Sequence, residues 1–115
     1  MATQYALSLY QGQAKSIQAT IQQDGAAYDV TGLTGSQLTY RAGVRGNESM
    51  IEKTIGSGIT LTTPASGVVT IALDSADTEV VAGAYQHELW IADGTLDEPV
   101  FVGVLTILDS LHHED

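Results

Sequence analysis

Residues 83–108 read GAYQHELWIADGTLDEPVFVGVLTIL, with apolar side chains recurring at every second position. Tyr85, Leu89 and Ile91 share one parity with His87, and Phe101, Leu105 and Ile107 share one parity further on. A period of two is the spacing of a strand with one buried face. Asp93-Gly94 and Pro99 interrupt the run, so it predicts a long hairpin whose strands are Tyr85 to Ala92 and Val100 to Leu108. Gly83-Ala84-Tyr85 marks a strand that starts after a tight connection. A tyrosine there either bends its hydroxyl back to an upstream backbone group, as in the tyrosine corner of Greek-key sandwiches, or is an ordinary half-buried side chain. The sequence leaves both readings open.

The same period extends upstream. Tyr5, Leu7 and Leu9 alternate with small or polar residues, and Ile17, Ala19 and Ile21 alternate with Ser16, Gln18, Thr20 and Gln22. Leu38, Tyr40 and Ala42 face one way, with Thr39 and Arg41 facing the other. Met50 to Ile55, Ile59 to Thr62, and the clean alternation of Val69, Ile71 and Leu73 add three more strands. Asp24-Gly25 predicts a two-residue hairpin turn, because both positions accept positive φ. Gly32 to Gly35, Gly43 to Asn47, Gly56-Ser57-Gly58 and Pro64 to Gly67 read as loops. Asp74 to Val81 alone predicts a helical turn, capped by Asp74 or Ser75 and too short for more than about two turns. Short strands separated by turns every 8–12 residues or so predict an all-β, antiparallel immunoglobulin-like β-sandwich of about seven or eight strands. One domain is expected over residues 1–108, with an acidic tail over 109–115.

Composition narrows the function classes. The chain has 115 residues and no cysteine, so it has no disulfide or thiolate chemistry. Fourteen acidic against four basic residues give a net charge of −10, a surface that repels phosphate backbones; no nucleic-acid partner is expected. No apolar run approaches the ~20 residues that cross a bilayer, and the N-terminus lacks the basic-then-apolar pattern of a signal peptide, so no membrane partner is expected either.

Residues able to carry chemistry are few. No serine sits in a nucleophile-elbow setting, and His87, on the buried parity, reads as a structural histidine rather than a catalytic base. His112 and His113 fall in the terminal stretch. Asp74, Asp77 and Glu79 form one carboxylate cluster, and Asp93, Asp97 and Glu98 another, but neither has the ligand spacing of a calcium loop. Helix capping accounts for the first and a solvated hairpin tip for the second. The glycines follow no phosphate-cradling pattern. No catalytic residue, metal or cofactor is therefore expected.

The last strand is apolar on both faces, although a sandwich buries only one. Val100, Val102, Val104 and Leu108 fall opposite Phe101, Leu105 and Ile107, and Trp90 is opposite in parity to Leu89 and Ile91. Trp90, Val100, Val102 and Val104 are the candidate partner interface, since outward apolar patches mark protein contacts and tryptophan is enriched at their centres. The competing reading has a loop or the N-terminal strand folding over that face.

Read in order, several segments resemble small phage tail and baseplate proteins. They are Tyr28-Asp29-Val30-Thr31-Gly32, Thr39-Tyr40-Arg41, Lys53-Thr54-Ile55-Gly56 with Gly58-Ile59, and Ser66 to Leu73. Asp77-Thr78, Gly83-Ala84-Tyr85 with Glu88-Leu89, and Gly103 to Ile107 complete the series. Together they are similar to the immunoglobulin-like N-terminal domain of the phage upper baseplate protein family. The resemblance implies a non-enzymatic structural component of a bacteriophage virion, made in the bacterial host cytoplasm and bound to other virion proteins in a symmetric assembly. In that family the domain precedes a receptor-binding or fibre region. A chain of this length is therefore expected to act as an adaptor, decoration or head–tail component. The alternative is a stand-alone immunoglobulin-like binding module for a carbohydrate or a cell-surface protein.

Overall fold

The computed structural model describes residues 3–44 and 49–109. The strands are β1 (Thr3–Gln4), β2 (Leu7–Tyr10), β3 (Lys15–Thr20), β4 (Gln22–Gln23), β5 (Ala26–Ala27), β6 (Gly35–Gly43), β7 (Ser49–Ile55), β8 (Gly58–Thr63), β9 (Val68–Leu73), β10 (Gly83–Ala92) and β11 (Asp97–Leu108). Hydrogen bonding runs in the order β1-β11-β10-β6-β7-β8-β9-β3, with β2 also paired to β11 and β4–β5 forming a separate small hairpin. The path curls into an immunoglobulin-like sandwich. Its front layer is β1/β2-β11-β10-β6-β7 and its back layer is β8-β9-β3.

The layers join at Gly56-Ser57, where β7 steps into β8 through a short parallel pairing of Thr54 with Gly58 and Ile55 with Ile59. The alternation read from sequence puts one set of side chains between the layers. Leu38, Tyr40, Leu89, Ile91, Leu105 and Ile107 come from the front, and Ile17, Ile59, Val69, Ile71 and Leu73 from the back; all are buried. Burying each such side chain stabilises the fold by about 1.5–3 kcal/mol before chain entropy is set against it. Asp24 and Gly25 both take positive φ (54° and 82°), as the predicted two-residue turn between β4 and β5 requires.

Three details depart from the sequence reading. The sheet is mixed, because β1 and β2 both run parallel to β11. The first and last strands enter side by side from the same end, which no periodicity encodes. Asp74 to Val81 forms turns rather than a helix, and the helical turn is a 3-10 turn at Pro64–Ser66. In the 74–81 segment side chains take over the backbone's bonding: Asp77 accepts from the Asp74 N–H (2.7 Å), and the buried Thr78 hydroxyl lies 2.9 Å from the Gln13 carbonyl. The expected loop over Gly43 to Asn47 lies partly outside the described residues, as does the acidic tail beyond Asp109.

His87 joins the front layer together. It is 2% exposed, with Nε2 at 2.7 Å from the Tyr5 carbonyl and Nδ1 at 3.0 Å from the Tyr40 hydroxyl. A carbonyl only accepts, so Nε2 carries the proton and donates to Tyr5; Nδ1 is then the acceptor, and Tyr40 donates to it. The imidazole is thus neutral in one tautomer, and burial holds its pKa below the ordinary histidine value. Burial likewise pushes the Tyr40 phenol up. Opposite His87 in register stands Gly103, where a Cβ would meet the Tyr5 carbonyl oxygen at 2.0 Å. The link between β1 and β2 packs its backbone over β11 at that glycine.

Two outcomes follow. Gly103→Ala is expected to destabilise the domain by about 3 kcal/mol or more, since the obstructing atoms are backbone and have no rotamer to escape into; equilibrium denaturation measures it. Because the folded pKa of His87 is depressed, its contribution is complete above the unfolded value near 6.5 and is lost as pH falls below it. Stability should fall by up to about 1.4 kcal/mol per pH unit below that point, and His87→Phe should abolish this share of the slope between pH 5 and 7.

Candidate interaction surface

The outer face of the front layer carries Val102 and Val104 of the residues singled out from sequence. Even-numbered positions of β10, and of β11 from Val102 onward, point outward, so Val102 stands across from Glu88 and Val104 across from Gln86. Next on the face come Arg41, across from Glu88, and Glu52, whose carboxylate pairs with Arg41 at 3.0 Å. That ion pair is solvent-exposed on both sides and worth well under about 1 kcal/mol. It marks the polar flank of the face.

Trp90 and Val100 sit differently from Val102 and Val104. Leu89 pairs with Phe101 and Trp90 with Pro99, so Val100 is the extra residue of a β-bulge. Pro99 has no N–H to offer the ladder, and the bulge absorbs that loss. Val100 turns to pack against the core. Trp90 is half-buried beside Thr39, which is 6% exposed, and the indole N–H donates to the Asp97 carboxylate at 2.7 Å. Trp90 is therefore tied to the hairpin base. The exposed apolar side chains of this face lie further along: Val104 (41% exposed), Leu108 (39%) and Tyr10 (54%), the last paired in register with Leu108. The structure thus groups Val102 and Val104 with Tyr10 and Leu108, and separates them from Val100. Tyr10 was missed because its parity is obscured by the break at Gly12. Its alternation against Leu7 and Leu9 was the available signal.

Tyr85 forms the tyrosine corner: its hydroxyl donates to the Val81 carbonyl four residues upstream. Several carboxylates of the two clusters are engaged in structural bonds. Asp77 pairs with Lys53 at 2.9 Å in a partly buried contact. Asp93 accepts the Tyr28 hydroxyl at 2.6 Å and the N–H groups of Thr95 and Leu96, which closes the β10–β11 loop. The Tyr28 bond, then the Leu96 N–H, hold the Asp93 carboxyl below the usual range, and the same contact raises the Tyr28 phenol. Among the described residues no three His, Asp or Glu side chains converge as a metal site. None of the described helices is long and apolar enough to cross a membrane. His112 and His113 lie outside the described residues.

One concavity is polar. A cleft of about 430 Å³ opens at the β4–β5 end, lined by Gln22, Gln23, Asp24, Glu98, Ile91 and Leu96 among others. It adjoins a smaller groove of about 180 Å³ between β3 and the N-terminal strand, lined by Tyr5, Ile17, Ala19, Val100 and Phe101.

No protein-family model matches the chain, and no curated protein matches it. Among solved structures, it is similar to the NK cell receptor Nkp44 at 11% identity, over 96% of this chain and 99% of that one, with a TM-score of 0.45. It is similar to Tim-1 at 14% identity, over 96% and 97%, with a TM-score of 0.45. It also resembles part of a Bacteroides vulgatus protein provisionally assigned to the glycoside hydrolases, at 15% identity over 90% of this chain and 16% of that one, with a TM-score of 0.47.

Tyr85→Phe keeps the packed ring and removes only the corner bond. The expected loss is about 1 kcal/mol, seen as a fall of roughly 4–6 °C in Tm by calorimetry.

Proposed function

We propose that this protein is a non-enzymatic structural component of a bacteriophage virion, acting by assembly with other virion proteins. The observation that carries the reading is a set of outward apolar side chains on a rigid sheet face, Val102 and Val104 on one side of Thr106 and Ser8 and Leu108 and Tyr10 on the other, with Gln86 and Glu88 alongside. An apolar centre with a polar border is the anatomy of a protein contact, and a sheet face presents it without an ordering cost on binding. The serial resemblance of Tyr28 to Gly32, Ser66 to Leu73 and Gly103 to Ile107 to phage upper baseplate domains supplies the setting, a symmetric particle with a fixed copy number.

A second reading is favoured by the polar cleft at Gln22, Gln23, Asp24 and Glu98: a binding module for a carbohydrate or cell-surface protein. Amide and carboxylate groups of this kind hydrogen-bond sugar hydroxyls. Trp90, the only tryptophan, does not line that cleft, which leaves it without a stacking platform of that type.

The deciding experiment is quantitative peptide mass spectrometry of purified, nuclease-treated particles from the source, with Val104→Asp as the companion variant. The expected result is a fixed ratio to the major capsid protein in the wild type, and at least tenfold less incorporation for the variant with an unchanged melting curve. Absence from intact particles while the protein is abundant in the lysate would overturn the virion reading. A reproducible glycan-array hit lost in Asp24→Ala would then support the second.

A further inference from the structure

The hydrogen-bonded path of the sheet ends at β3, whose partner on one side is β9 and whose other side faces the groove toward Tyr5. Which backbone groups point that way follows from the ladder. Lys15 to Thr20 pair antiparallel with Leu73 to Val68, and just beyond, the Ile21 N–H donates to the Gly67 carbonyl at 2.8 Å. Backbone groups alternate sides along a strand, so Lys15, Ile17 and Ala19 bond toward β9, like Ile21. The N–H and C=O of Ser16, Gln18 and Thr20 therefore point outward, and among the described residues nothing bonds to them.

Monomeric proteins guard such edges with proline, bulges or inward charges. β3 has no proline and no bulge, and its one charged residue is Lys15 at its start. Among the described residues the N-terminal strand pairs with β11 instead, so it does not pair with this edge. The opposite free edge, formed by β1 and β2, is broken at Tyr5-Ala6 into pieces of two and four residues. It offers no comparable run.

Charge selects the occupant. Each copy of the chain carries −10, so two copies repel over most approaches. The strands of the back layer are the exception: β3, β8 and β9 contain no aspartate or glutamate. Along the outer face of that layer lie Ser16, Gln18, Thr20, Thr60, Thr62 and Thr70, all uncharged. A second copy can meet β3 there without burying a like-charge pair.

The register is self-complementary. With Gln18 on a twofold axis, antiparallel β3 strands set Ser16 opposite Thr20 of the other copy and Gln18 opposite itself. All three positions with free backbone groups then fall in hydrogen-bonded pairs, about six new bonds at two per pair. Ile17 falls opposite Ala19, so the apolar parity of both copies stays on the inner face. We propose that this protein forms a twofold dimer through antiparallel β3–β3 pairing centred on Gln18, which makes one continuous back sheet across two copies. The contact uses neither Val104 nor Leu108, so it stands apart from the virion reading.

The chain has no cysteine, which makes a single introduced thiol diagnostic. Gln18→Cys would place two Cα atoms about 5.5 Å apart across the axis, inside the disulfide range. Ser16→Cys would leave its thiols about 14 Å apart along the strand. Under mild oxidation, Gln18→Cys is expected to cross-link to dimer at least tenfold faster than Ser16→Cys. In analytical ultracentrifugation the wild type should show a dimer whose share grows with salt, as screening weakens the repulsion. Gln18→Lys, which sets like charges face to face, should sediment as monomer at low salt with an unchanged circular dichroism spectrum. A wild type that stays monomeric at millimolar protein and high salt would overturn the proposal and leave the edge to a strand from another protein. Equal cross-linking of the two cysteine variants would overturn the register.

Discussion

The front layer depends on one buried imidazole. His87 donates to the Tyr5 carbonyl and accepts from the Tyr40 hydroxyl, so one ring links the N-terminal strand, the β10 strand and β6. Tyr5, Tyr40 and Phe101 pack around it with ring centroids 5.2–5.7 Å away. Beyond that link β1 and β2 hold to β11 through short parallel ladders, weak alone at two to four residues, and through the burial of Leu9. Gly103 belongs to the same device, because it lets the Tyr5 carbonyl drop close enough to meet the ring. The histidine is chosen over a phenylalanine of similar volume for its two opposed nitrogens, which satisfy a carbonyl and a phenol that would otherwise be buried without partners.

The back layer works on different chemistry. Its strands are rich in threonine and β-branched apolar residues, carry no carboxylate, and are held by ladder bonds and by Ile17, Ile59 and Ile71 in the core. The acids lie in the front layer and the loops, and several of those described are engaged: Glu52 with Arg41, Asp77 with Lys53, Asp93 and Asp97 with the hairpin. Carboxylates that look like two clusters in sequence are thus fixed apart by separate partners.

Much of this architecture was legible because burial has period two. The parities of Tyr85, Leu89 and Ile91, of Leu38 and Tyr40, and of Val69, Ile71 and Leu73 each name the core face. Gly83-Ala84-Tyr85 offered the corner as one of two readings, and the Tyr85 hydroxyl bond to the Val81 carbonyl selects it. Three features were illegible. Parallel entry of β1 and β2 depends on which edge the first strand meets, a tertiary choice. The 74–81 segment has caps suited to a helix, but the Thr78 hydroxyl finds the Gln13 carbonyl sixty-five residues away in sequence, and local propensity cannot see that bond. The bulge at Val100 follows from pairing Pro99 with Trp90, so parity misassigned that one residue while placing Val102 and Val104 correctly.

The two layers therefore divide the surface by chemistry. Outward on the front lies a narrow apolar strip inside a polar, acidic border, and such a strip gains by being covered, at about 25 cal/mol for each Å² removed from water. Outward on the back lies a neutral sheet with an open edge, where the gain is directional and comes from backbone pairing. Hydrophobic covering tolerates small shifts of the partner, whereas strand pairing fixes register to the residue, because a one-residue slip reverses every side chain. A chain with one surface of each kind can hold a partner loosely in position on one side and rigidly in register on the other. The separation of acids from the back layer is what keeps the two kinds of contact from interfering, since a carboxylate at Gln18 would face its own copy across the axis and close the edge to the same chain.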